Sequence, residues 1–98
     1  MKEYKEDADN YITLANEFNA LHDTEYAKAY ALHKMALAQY ERWSTIFFEV
    51  RQQELKSGLK QVALKNRIED VLKVLNNIYT SSRMVWSKGK NDLGGGKY

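Results

Sequence analysis

The sequence predicts an all-α protein built from long amphipathic helices, and two observations carry that expectation. Proline is absent, and glycine is confined to Gly58 and to residues 89–98, so long stretches contain nothing that interrupts a helix. Apolar residues recur at intervals of three and four over most of the chain, the period that keeps one helical face apolar. With 98 residues there is room for one domain. Helices are expected at about residues 3–21, 24–56 and 59–88, with 89–98 a flexible Gly/Lys tail.

The last helix has the most regular pattern. Leu64, Ile68, Val71, Leu75, Ile78, Ser82 and Val85 step by four and three in alternation, the spacing of a coiled-coil-like seam. Leu72, Tyr79 and Trp86 flank that seam at intervals of seven, so the face is wider than one partner helix requires. In the middle helix Ala29, Leu32, Ala36, Trp43, Phe47 and Val50 form one side, and Tyr26, Tyr30, His33, Leu37 and Tyr40 form the adjoining side. Asp23, or Thr24 in its place, is the expected N-cap of this helix. Ser57-Gly58 is the one candidate break before the last helix, because glycine takes the left-handed C-cap conformation at little cost. A glycine tolerated within one longer helix is the alternative. Upstream, Tyr4, Ala8, Tyr11, Ala15, Phe18 and His22 mark a shorter amphipathic helix.

Helices of this length have a consequence for assembly. Some thirty residues at 1.5 Å rise make a rod of roughly 45–50 Å, against a radius of gyration of ~13 Å for a compact chain of this size. Two such rods side by side form a hairpin that cannot cover faces this broad. Association into a homo-oligomer is therefore expected, with Tyr40, Trp43, Phe47, Leu75, Ile78, Val85 and Trp86 as the oligomer or partner face.

Composition excludes several classes. Cysteine is absent, which removes disulfides and thiolate metal sites. No apolar run approaches the ~20 residues of a membrane span, and "MKEYKEDADN" lacks the apolar core of a signal peptide. No membrane association is expected, and the default location is the cytoplasm. The formal net charge is only +2, but it is unevenly spread. Residues 1–25 carry seven acids against Lys2 and Lys5, a net of −5, while residues 51–98 carry ten Lys or Arg against four acids, a net of +6. An acidic start and a basic end suit head-to-tail association or a polyanion partner for the C-terminal half.

Catalytic chemistry finds no foothold. His22 and His33 are eleven residues apart with no metal-ligand spacing around them, and no serine has a base placed near it in the sequence. The only glycine cluster, "GGGKY", has no element to anchor a phosphate loop. No enzyme activity, cofactor or metal is expected. What remains is the set Lys60, Lys65, Arg67, Arg83, Lys88 and Lys90, which falls mostly off the seam and so on the outside. Such cations neutralise backbone phosphates without regard to sequence, and Tyr79 or Trp86 offers a stacking surface for an unpaired base. Cations in a last helical turn also complement the helix dipole, which accounts for Lys88 and Lys90 better than for Arg83.

The stretch "KQVALKNRIE" (60–69) resembles the recombination mediator family of T-even phages, the UvsY proteins, which have a similar Lys-x-Val-Ala-Leu-Lys-x-Arg-aliphatic stretch on a helix. A second similarity is "SSRMVWSK", where Ser82, Arg83 and Lys88 match a terminal Ser-Arg followed five residues on by Lys. The chain departs from that family at "DVLKVLNN", where the family has a Tyr-Tyr-Ser-Gly turn. The "EYAKAY" segment is similar to one in the helical accessory proteins of phage single-strand annealing systems. The resemblance implies a ring-like oligomer that binds single-stranded DNA through Lys65 and Arg67 and helps load a recombinase or annealing protein. Its implied partners are single-stranded DNA and a recombinase or single-strand-binding protein, in a bacterial host cell. The competing reading is a helical protein-interaction module, such as a phage inhibitor or assembly factor, that binds no nucleic acid.

Overall fold

The computed structural model describes residues 4–94, and the side chains of residues 4–89. The described residues form three helices: α1 (Lys5–Asn19), α2 (Tyr26–Ser57) and α3 (Val62–Gly94). Helices α2 and α3 form an antiparallel hairpin. At its open end the Tyr26 ring lies on Gly89, and at its closed end Lys65 pairs with Glu54. Helix α1 runs back along the hairpin, antiparallel to α2. There Arg42 donates to the Asp7 carboxylate twice, each at 3.2 Å, and the Gln39 amide donates to the Asn10 carbonyl at 3.2 Å.

The turn between the long helices is where the sequence placed a break. Gly58 adopts φ 73°, its N–H closes on the Glu54 carbonyl at 2.8 Å, and Leu59 N–H is held by the Ser57 hydroxyl. The start of α2 is built differently from expectation. Neither Asp23 nor Thr24 caps it; a turn runs from His22 to Glu25, with Glu25 N–H bonding the His22 carbonyl. The Glu25 carboxylate in turn accepts from His22 N–H at 2.8 Å, which is the reach-back half of a capping box. At the other end α3 continues to Gly94, past the expected stop at residue 88. Residues 89–94 are therefore helical backbone, and 95–98 lie outside the described residues.

Gly89 shows why the helix passes through it. A Cβ there would stand 2.0 Å from Cγ of Tyr26, so only glycine lets the Tyr26 ring close the open end. In the sequence this glycine reads as the start of a tail. Its role depends on Tyr26, sixty-three residues earlier.

The core lies between the three helices. Leu14 of α1, Leu32, Ala36, Trp43, Ile46 and Val50 of α2, and Ile68, Leu75 and Ile78 of α3 are buried, with Tyr4 at the edge. Ser82 takes its seam position fully buried, and its hydroxyl is satisfied by the Ile78 carbonyl one turn back. Three residues of the expected partner face belong to this internal core: Trp43, Leu75 and Ile78 are 2% exposed or less. Trp43 lies beneath α1, and Leu75 and Ile78 belong to the same cluster of buried residues from all three helices. Phe47, Val85 and Trp86 are half-buried, and Tyr40 is exposed.

The molecule measures 57 × 23 × 16 Å with a radius of gyration of 16.4 Å, more extended than the ~13 Å of a compact chain. Helix α1, fifteen residues or roughly 22 Å long, spans less than half of the thirty-two-residue α2. Beyond its reach, toward the turn, Phe48, Leu55, Leu59 and Val62 are more than half exposed. Among the described residues no helix is long and apolar enough to cross a membrane.

Candidate interaction face

The six cations expected to contact phosphate do not converge. Lys60 is exposed in the turn region before α3, and Lys65 is half-buried against α2. Its ammonium lies 3.0 Å from the Glu54 carboxylate, whose other oxygen accepts from the Gln61 N–H. That carboxyl is held below its ordinary range, first by the Gln61 amide and then by Lys65. Lys65 thus fastens the turn and is not a bare cation. Arg67, two residues on and so roughly 200° around the helix, borders a 240 Å3 groove under α1. Ala8, Tyr11 and Trp43 also line that groove. Burial, and then the charge of Asp70, raise the Tyr11 phenol above its ordinary value there.

Arg83 and Lys88 are exposed farther along α3. Arg83 is roughly 27 Å from Lys65 along the axis, so the two similarities to the phage mediators sit at opposite ends of the hairpin. Lys90 is within helical backbone, and its side chain lies outside the described residues. Among the described residues no cluster of His, Asp or Glu could hold a metal ion.

The aromatic residues do converge, on the side of the hairpin away from α1. The His33 ring packs on Tyr79 with centroids 4.2 Å apart and lies parallel to Trp86 at 6.1 Å, while Tyr30 meets Trp86 at 5.0 Å. The His33 Nδ1–H donates to the Tyr79 carbonyl at 3.0 Å, so this histidine is a packing and bridging residue between α2 and α3. Next to these rings Leu37, Tyr40, Asn76 and Tyr79 line a groove of 260 Å3. Tyr30, Leu37 and Tyr40 each remain about two-fifths exposed (41%, 42% and 38%). The adjoining side of α2 predicted from sequence is thus split: Tyr26 and His33 are half-buried against α3, while Tyr30, Leu37 and Tyr40 stay exposed.

Arg83 falls four residues after Tyr79 and three before Trp86, so helical spacing puts it on this same face. Two residues that sequence reading passed over share its stripe: Glu69 and Asn76, at intervals of seven. Both are exposed, and the seven-residue interval was the signal that marks them. Glu54 was passed over too, since a carboxylate in a polar run before Gly58 looks solvated until the chain turns back on it. The chain matches no protein-family model, no curated protein and no solved structure.

Proposed function

We propose that the protein acts through protein–protein contact, as a helical module whose open aromatic face takes up helices. The observation that carries this reading is the groove of Leu37, Tyr40, Asn76 and Tyr79, which is largely apolar, open to solvent and lined by both α2 and α3. An amphipathic helix laid into such a groove buries what the chain itself leaves in water. A photo-crosslinking residue in place of Tyr40 should give protein adducts in expressing cells, and the same residue in place of Thr45, on the outer surface, should give none. Adducts to nucleic acid alone, or none from position 40, would overturn this reading.

A second reading is favoured by Arg83, placed by helical spacing beside Tyr79 and Trp86. In it the protein is a recombination accessory factor that holds single-stranded DNA along the open face. Rings stack on bases and Arg83 meets the phosphates, while Arg67 lies on the α1 side and takes no part. The ion pair of Lys65 with Glu54 weakens that part of the resemblance, and Arg83 becomes the residue on which the reading depends. Binding of a fluorescent oligo-dT should then weaken as salt rises, and Arg83→Ala should weaken it further, whereas Lys65→Ala should act through stability instead.

A further inference from the structure

The occupant of the open face can be read from the order of charges along it. On α3 the stripe Glu69, Asn76, Arg83 runs at intervals of seven, two helical turns apiece. Asn76 lines the groove, so an acid and a base stand roughly 10 Å to either side of its centre. All three are exposed, and among the described residues neither Glu69 nor Arg83 has an ion-pair partner within the chain.

We infer that the partner is a second copy of this chain, docked antiparallel with α3 against α3 and a two-fold axis through Asn76. This rests on the reading of the open face as a protein-binding groove. An isologous contact requires that if residue i meets residue j, then j meets i. Turning the stripe about Asn76 satisfies that rule: Glu69 meets Arg83 of the second copy, Arg83 meets Glu69, and the two Asn76 amides meet each other. The neighbouring positions fit as well. In this register Leu72 faces Thr80 and Lys73 faces Tyr79, so no like charges oppose one another. A parallel pairing in the same register would instead set Glu69 on Glu69, Lys73 on Lys73 and Arg83 on Arg83, each repulsive. The charge order therefore selects orientation, and an amide pair at the centre selects register, as buried Asn does in coiled coils.

Size allows the contact. A standard interface buries roughly 800 Å2 on each partner, and a molecule of 57 × 23 × 16 Å offers that on a long side. The groove between Leu37, Tyr40 and Tyr79 would close over its own copy, removing the half-exposed rings from water.

The experiment is a charge swap on the full chain, read by sedimentation equilibrium at low salt, with circular dichroism to confirm helicity. The native chain should give a dimer. Arg83→Glu and Glu69→Arg should each raise the dimer dissociation constant at least tenfold, since each sets like charges opposite one another, and the double variant should restore it. The chain has no cysteine, so the Asn76→Cys variant should cross-link to itself on oxidation, while Thr45→Cys should not. A monomer at every concentration would overturn the proposal. So would a dimer indifferent to both swaps, or an Asn76→Cys variant that fails to cross-link. If the chain is monomeric yet residue 40 still cross-links to another protein in cells, the second copy is excluded while the protein-binding reading stands. A loss of both signals removes that reading too.

Discussion

The two long sides of the α2–α3 hairpin start from similar residues and end in opposite states. On one side Trp43, Ile68 and Val71 lie beneath α1, and Trp43 is 2% exposed. On the other side Tyr30, Leu37 and Tyr40 remain about two-fifths in water. Helical periodicity gave both sides the same standing, because it reports the width of an apolar face and not what covers it. The difference comes from a third helix of fifteen residues, long enough for part of one side. It teaches that the covered side stabilises the monomer, while the open side is available for association.

The sharpest way to break this comparison is to truncate one aromatic residue on each side. Trp43→Ala should lower stability by about 3–5 kcal/mol, since its ring is almost wholly buried and its removal leaves a cavity. Tyr40→Ala should cost about 1 kcal/mol or less in dilute monomer, because its ring already meets solvent. Thermal or denaturant unfolding of both variants measures the contrast, and equal losses would mean that the two sides are not distinct.

The two ends of the hairpin come next. Gly89→Ala places a methyl on the Tyr26 ring, and overpacking of this kind costs about 1–3 kcal/mol. Part of that is offset, since alanine is the better helix former by about 1 kcal/mol. A net loss in urea unfolding is expected, and a Tyr26→Ala background should turn it into a gain. At the closed end Gly58→Ala meets open space, yet φ 73° is strained for any side chain, and a loss of about 1 kcal/mol should follow. The two glycines would thus fail for different reasons, one steric and one conformational.

The smallest effect concerns pH. The Glu54 carboxyl is held below its ordinary value, so its contribution is fully present above the ordinary carboxylate range. It is lost as pH falls through the lowered folded value. Stability measured across the acid limb should therefore fall less steeply in Glu54→Gln than in the native chain. An unchanged slope would mean that the Gln61 amide and Lys65 do not hold the turn through this carboxylate.

Much of the fold was legible in the residues. The seam from Leu64 to Val85 and the paired sides of α2 follow from spacing within one helix, and local spacing is printed in the chain. Gly58 was marked only as a candidate break, and its φ of 73° settled it. What sequence missed has a common cause. Leu14 stood off the α1 stripe as drawn, yet it is fully buried because α1 meets two helices at once. Glu54, Lys65 and Gln61 become one cluster only when the turn brings them together. The candidate site was half legible: Tyr30, Leu37, Tyr40, Tyr79, Trp86 and Arg83 were marked, and Glu69 and Asn76 were not.

By itself the sequence determined helix content and the breadth of the apolar faces, since these depend on residues within a few turns of one another. It left Gly58 open between a turn and a continuous helix. Only the tertiary structure decided that Trp43, Leu75 and Ile78 belong to the core, that Lys65 is tied to Glu54, and that Gly89 carries the Tyr26 ring. The last two depend on how α2 and α3 close on each other at their ends, and the first on which side α1 covers. That choice is made between whole helices by buried area and by single contacts such as Asp7 with Arg42, quantities that no local pattern encodes.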